Sequence, residues 1–386
     1  KDKVKIISIH KLKLPGEKTG EGVTVDVSAF GTRNLVFIDE GHKGQKSADA
    51  KWKTVRERLA EDGFIWEYSA TFGQTITSRK SPYFEEYKYS ILFDYSYKYF
   101  HQDGYGKDFS ILNLSTSKFK DQDVPILLLA NTLDYYEQLQ VYRNTPDLGE
   151  YQIEKPLWIF VGSKVTTENS DILEVMKFLD HLFRADRNTI IHQIEKIIVD
   201  GESGILGPDN RDAFTHHYPE KNFTYLREQI EKRHTTPEVI YQGILTQIFH
   251  IPFGAAGQRL ELHDIKNAEG EIGLKASTSE HFFGVINIGD KSGFLKLVRK
   301  NNVDITIREE AFQSSLFDTI DRKTSTINLL LGAKKFIEGW NSYRVSNMCL
   351  LNIGKREGPQ IMQLFGRGVR LRGKNTSLKR SRHLPG

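Results

Sequence analysis

Apolar positions along the chain follow two patterns: short unbroken runs, and longer stretches with a three-to-four spacing. The run Leu35-Val36-Phe37-Ile38 inside "NLVFIDEGHKG" (34–44) has no polar alternation. That predicts a short strand covered on both faces, as a central parallel strand is. Residues 50–62, "AKWKTVRERLAED", place Trp52, Val55 and Leu59 at helical spacing; Gly63 ends the helix and "FIWEY" (64–68) reads as the next strand. Strand, helix, strand predicts a parallel βαβ unit. Upstream, "KVKIISIHKL" (3–12) has a strand pattern, and the Gly- and Thr-rich residues 15–34 read as a loop.

A second α/β region begins at "KPLWIFVGSKVT" (155–166), an apolar strand running into a Gly-Ser turn. Helical spacing then dominates "DILEVMKFLDHLF" (171–183), "TIIHQIEKIIVD" (189–200) and "TYLREQIEKRH" (224–234). This tract, about 168–280, is long for a simple crossover and reads as an insertion. Strand patterns return at "FFGVINIG" (282–289), "TINLLLGAKKF" (326–336) and "NMCLLNIG" (347–354). The expected division is therefore 1–150 and 151–386.

With 386 residues the chain has room for two domains of ordinary size. Its 38% hydrophobic and 27% charged residues are those of a globular protein, and no apolar run approaches membrane-spanning length. Cys349 is the single cysteine, so no internal disulfide or thiolate metal cage can form, and a cytoplasmic setting without a membrane partner is expected. The net charge of +4 is mild, but "GRGVRLRGKNTSLKRSRHLPG" (366–386) carries Arg367, Arg370, Arg372, Lys374, Lys379, Arg380 and Arg382 with no acid. Such a run is either a solvated tail or a phosphate-binding surface.

Four short motifs carry the chemistry. "DEGH" (39–42) and "SAT" (69–71) each end an apolar strand, and the C-terminal tips of parallel strands are where open α/β sheets bind ligands. "EGWN" (338–341) and "QLFGRGVR" (363–370) follow near the far end. Each has a plain reading as well: an acidic turn, hydroxyls capping a turn at Ser69 and Thr71, an ordinary loop at Gly162-Ser163-Lys164.

Taken together, a D-E-x-H, an S-A-T and a Q-x-x-G-R-x-x-R in this order resemble the superfamily 2 DExH-box helicases and translocases. Within them the chain looks most like the motor subunits of type III restriction enzymes. "ILFDYSYKYFHQDGYGKDFSILNLS" (91–115) is similar to that branch's tyrosine-containing strand and "DG" turn, and "EGWN" to its E-G-W-D element, with Asn341 in place of aspartate. The resemblance implies an α/β fold of two RecA-like parallel-sheet lobes, the first incomplete, with the largely helical insertion in the second. It implies ATP and Mg²⁺ as nucleotide and metal. Asp39 would hold Mg²⁺ through water and Glu40 would activate the attacking water. His42 would communicate with Gln363. Arg367 and Arg370 would act as arginine fingers, and Ser69 and Thr71 would couple the acidic motif to the domain interface. Gly339, Asn341 and Gly366 would lie at the nucleotide, while Ser163 and Lys164 would contact a nucleic-acid backbone. The implied activity is a DNA translocase or helicase of a restriction or phage-defence system, acting on duplex DNA, with a methyltransferase, specificity or nuclease subunit as a further partner.

One part of that pattern is missing. A motor needs a G-x-x-x-x-G-K-[ST] loop well before Asp39, and "PGEKTG" (15–20) fails it because Glu17 separates Gly16 from Lys18. The chain is thus expected to be a fragment that turns over no ATP alone. His216-His217 lack a third ligand at zinc spacing. Asp209 with Asp264 and Lys266 is the nearest approach to a nuclease's acids and lysine, too widely spaced to be read as one. Two other functions stay open: a nucleic-acid-binding module with an inactive ATPase, and an RNA-directed helicase.

Overall fold

A computed structural model describes residues 4–17, 24–41, 50–72, 84–110, 123–162, 164–167, 170–205, 212, 222–301, 304–332, 340–351 and 359–384. It divides into one unit of Lys1–Tyr95 with Glu357–Gln363, and a second of Ser96–Arg356 with Leu364–Gly386.

In the first unit, β1 (Leu12–Lys13) pairs with β2 (Val25–Asp26), and β3 (Leu35–Ile38) with β4 (Phe64–Glu67), both in parallel. Helix Ala50–Leu59 links β3 to β4, as the spacing predicts. Its Val55 packs with Leu12 and Val27 in a small core. Of the strand expected over residues 3–12, residues 4–8 carry no strand and Ile9–Lys11 form a 3₁₀ turn before the two residues of β1, Leu12–Lys13. The prediction of burial on both faces fails for β3. Leu35 and Phe37 are 60% and 62% exposed, and Phe64 and Trp66, their partners in register, are exposed as well. In a sheet of two strands only the face of Val36, Ile38 and Ile65 is partly covered, so an apolar run is no guarantee of a central strand.

The second unit is built on one seven-stranded sheet in the order β11-β5-β10-β8-β7-β6-β9. Its strands are β5 (Leu157–Gly162), β6 (Leu260–Ile265), β7 (Glu271–Ala276), β8 (Phe282–Asn287), β9 (Thr306–Glu310), β10 (Leu329–Gly332) and β11 (Val345–Leu351). Neighbours β11, β5, β10 and β8 are parallel, β7 is antiparallel to both β8 and β6, and β9 is parallel to β6. The chain is therefore an α/β protein with a mixed, mostly parallel sheet. Alternate residues of β5 enter two cores: Trp158 and Phe160 join the larger, Leu157, Ile159 and Val161 the smaller. The helices Val124–Asn144, Asp171–Arg184, Arg187–Glu195, Thr224–Glu231, Pro237–Gly243 and Lys291–Lys300 contribute to the larger core. Leu316, Ile320, Trp340 and Leu364 close the smaller.

Two expectations change here. The helical pattern ends at the π-helical turn Ile244–Ile248, but residues 260–276, inside the tract read as an insertion, belong to the sheet as β6 and β7. The tyrosine-containing segment expected as a strand forms helix Tyr97–Gln102, followed by a turn through Gly104 and Gly106, both at positive φ. No helix among the described residues is long and apolar enough to cross a membrane.

Buried charges punctuate this unit. Glu137 on helix Val124–Asn144 accepts the N–H groups of Tyr225 at 2.7 Å and Leu226 at 3.1 Å, capping helix Thr224–Glu231. Burial pushes its carboxyl up to about 7, and the Leu226 bond only partly opposes this. A carboxyl raised on folding stabilises most below its unfolded value of about 4.3 and loses that contribution as pH rises through its folded value. Glu137→Gln keeps the acceptor and removes the charge. In urea unfolding from pH 5 to pH 8 the variant should gain on the wild type by on the order of 2 kcal/mol. A difference that stays constant with pH would show that Glu137 carries no buried charge.

Candidate functional site

The β3–β4 ladder continues past the strands and shapes the acidic turn. Tyr68 N–H donates to Ile38 O and Gly41 N–H to Tyr68 O, each at 2.9 Å. Between them the backbone turns sharply: Glu40 adopts a φ of 55°, uncommon outside glycine, and its N–H donates to Asp39 Oδ1 at 2.9 Å. Asp39 is left exposed and Glu40 half-buried. Gly41 is required by the close approach of the neighbouring strand, since a Cβ there would lie 2.8 Å from Cβ of Glu67. Gln363 Nε2 donates to Glu40 Oε1 at 3.3 Å within the same unit. His42, the expected partner of Gln363, lies outside the described residues.

Ser69 and Thr71 follow β4 directly. Ser69 Oγ accepts Thr71 N–H at 3.0 Å, a side-chain turn, and Thr71 is buried. The parallel register thus brings Asp39, Glu40, Ser69 and Thr71 to the C-terminal end of one strand pair, as the motif order implies.

Beneath this end lies a network without a signal in the motifs. Arg56, from helix Ala50–Leu59, forms a largely buried ion pair with Glu67. Tyr87 Oη donates to Glu67 Oε2 at 2.6 Å and accepts from Arg56 Nη1 at 3.0 Å. Burial, then the bond to Glu67, pushes the Tyr87 phenol up to about 12, so it remains a donor. Phe72, just past the "SAT" segment, packs on Tyr87 with centroids 5.3 Å apart. The available clue was local: Glu67 is a lone acid inside an aromatic run.

In the second unit, Lys164 follows β5 on an exposed turn held to the next helix. Lys164 N–H donates to Asp171 Oδ2 at 3.0 Å, and Ser170 caps that helix through Leu173 N–H. Ser163 and Gly339 lie outside the described residues, as do Asp209, His216 and His217. Helix Pro359–Gly368 carries Arg367 in its last turn, whose Nη1 donates to Trp340 O; Arg370 Nη1 donates to Asn341 Oδ1. The structure therefore joins the "EGWN" and "QLFGRGVR" motifs through both arginines. At Gly366 a Cβ would meet nothing within 4 Å, so that face of the helix is open.

The basic C-terminal run is not a bare cationic surface. Arg372 pairs with Glu154 at 2.7 Å and stacks on Tyr343, Lys374 pairs with Glu150, and Arg382 pairs with Asp108 at 2.8 Å. Arg380 is buried, donating to the carbonyls of His101, Tyr105 and Gly106. Lys379 lies over the Tyr105 ring. Neither reading of the run, solvated tail or phosphate surface, anticipates this, because the acids are distant in sequence.

Among the described residues, no group of three or more His, Cys, Asp or Glu could hold a metal ion. Asp39 offers one hard oxygen donor of the kind Mg²⁺ takes alongside water and phosphate ligands. Of the nuclease-like residues, Asp264 forms ion pairs with Lys266 at 2.6 Å and with Lys291 at 2.7 Å. Cys349 is buried and its thiol is pushed up to about 12 by desolvation, which suppresses the reactive thiolate.

The Arg56–Glu67 pair is testable by unfolding. Arg56→Met leaves a buried carboxylate uncompensated and should cost about 3 kcal/mol, whereas Arg56→Met with Glu67→Met should recover more than half of that. Equal losses in the single and double variants would show that the stranded Glu67 carboxylate costs nothing. No family model, curated protein or solved structure matches the chain.

Proposed function

We propose that the chain is part of an ATP-dependent DNA translocase or helicase built on two RecA-like lobes, of the kind found in restriction or phage-defence systems. The observation that carries this reading is the turn at the end of β3. There Asp39 is exposed, Glu40 is held at positive φ with Gln363 on its carboxylate, and Ser69 and Thr71 stand just past the end of the adjoining strand. Phosphoryl transfer needs positioned acids and cations more than covalent chemistry. In this reading Glu40 orients and deprotonates the attacking water. Asp39 would hold Mg²⁺, which when bound supplies charge neutralisation at the phosphates. Arg367 and Arg370 stabilise the charge that develops on the transferred phosphoryl group, and Lys164 serves the nucleic-acid backbone. A binding module using only its basic C-terminus has less support, since that run is engaged with Asp108, Glu150 and Glu154.

The test is ATP hydrolysis by the natural-length polypeptide with no nucleic acid, with duplex DNA and with RNA, beside Glu40→Gln. Stimulation by DNA that falls by at least about 10²-fold in the variant is expected. Nucleic-acid binding without hydrolysis would leave the binding module, and preferential stimulation by RNA would redirect the motor to RNA.

A further inference from the structure

The segment Asp103–Asp108, "DGYGKD", has no role in the reading above, yet it is bound closely to the arginine-bearing segment. Lys107 makes three hydrogen bonds to backbone carbonyls from two distant stretches. Its backbone N–H donates to Val369 O at 2.7 Å, one residue before Arg370. Its Nζ donates to Tyr343 O at 2.9 Å and to Val345 O at 2.6 Å, just beyond Trp340 and Asn341, which receive Arg367 and Arg370. One residue thus joins both sides of the arginine contacts.

The surroundings fit a fixed seat. Gly106, at a φ of 73°, admits no side chain, because a Cβ would lie 3.0 Å from Val369 O and 2.9 Å from the Phe100 ring. Phe365, on the arginine helix, stands edge-on to Tyr97 at 4.8 Å and Phe109 at 4.7 Å. Arg380 ties the far side of the loop through the carbonyls of Tyr105 and Gly106 at 3.0 and 3.2 Å. Desolvation pushes the Lys107 ammonium down to about 8, consistent with an amine committed to internal partners.

We propose that Lys107 is a positioning residue: it holds the Val369–Arg370 backbone against the start of β11, so that Arg367 and Arg370 keep the geometry needed for phosphate charge. This rests on the ATPase reading. Arginine fingers act only when their donors are placed to within a fraction of an ångström, and a displacement of about 1 Å can cost about 10²-fold in rate.

Two measurements on the natural-length polypeptide separate this proposal from that reading. The first is amide hydrogen exchange, independent of turnover. Lys107→Met should speed exchange in 341–346 and 364–371 by roughly tenfold while β5 stays protected, and Lys107→Arg, which keeps a donor, should restore much of the protection. Unchanged exchange in those two segments overturns the anchoring role. The second is a double-mutant cycle in DNA-stimulated hydrolysis. Lys107→Met should lower kcat roughly tenfold with little change in KM for ATP, and should add less than about threefold in an Arg370→Ala background. Equal losses in the two backgrounds overturn the proposal, because Lys107 would then act independently of Arg370. If the wild type hydrolyses no ATP, the motor reading falls and with it the catalytic purpose of the anchor, while exchange still decides whether the anchor exists.

Discussion

Strand β5 is buried at every residue and paired in parallel on both sides, to β11 and to β10. Parallel pairing of this kind demands crossover connections and cover on both faces. Most of the second unit can be understood as meeting that demand. Helices fill the larger core against Trp158 and Phe160. The turn at Leu316–Ile320, Trp340 and Leu364 fill the smaller against Leu157, Ile159 and Val161. The C-terminal tip of β5 is also where the chain must turn, and Ser170 and Asp171 fix that turn by side-chain caps, leaving Lys164 presented outward.

Cations seal the loops around this sheet. Arg344 is buried at the β5 edge and donates to the carbonyls of Lys155, Pro156, Ile320 and Ile327. Lys107 and Arg380 do the same for the loop following helix Tyr97–Gln102. A buried charge is tolerated when its hydrogen-bonding capacity is met, and loop carbonyls that would otherwise lose water are met in return. Lys107 and Arg380 therefore join segments separated by more than two hundred positions, which explains why residues 96–108 group with the C-terminus.

The first unit achieves its local order differently. Its pair of strands cannot enclose a large core, and an aromatic face remains exposed at Phe37, Phe64, Trp66 and Tyr68. The conformation of the acidic turn depends on two backbone hydrogen bonds beyond the ladder and on the absence of a side chain at Gly41. Glu67, held by Arg56 and Tyr87, is the surface against which Gly41 rests. A carboxylate one turn away from the motifs thus governs where the motif carboxylates stand.

The sequence alone determined the elements whose signal is local. The unbroken run at Leu157–Val161, the strand–helix–strand at 35–67 and the amphipathic stretches near 171–184 and 224–231 could be read from spacing, since one apolar stripe or one apolar run reports one element. Helix Val124–Asn144 gave no such stripe: it buries Leu128, Leu129, Thr132, Tyr135, Tyr136 and Glu137 around much of its circumference. Strands β6 and β9 carry Glu261, His263, Arg308 and Glu310, charges that pair along β6 and across from β6 to β9. Their alternation resembles a polar surface until the partner strand is known. Motif order likewise singles out Asp39, Glu40, Arg367 and Arg370 as candidates, but not what orients them. That was decided by tertiary structure, because Lys107, Arg56 and the acids facing the basic C-terminus act through contacts between distant positions, and local periodicity carries no information about such contacts.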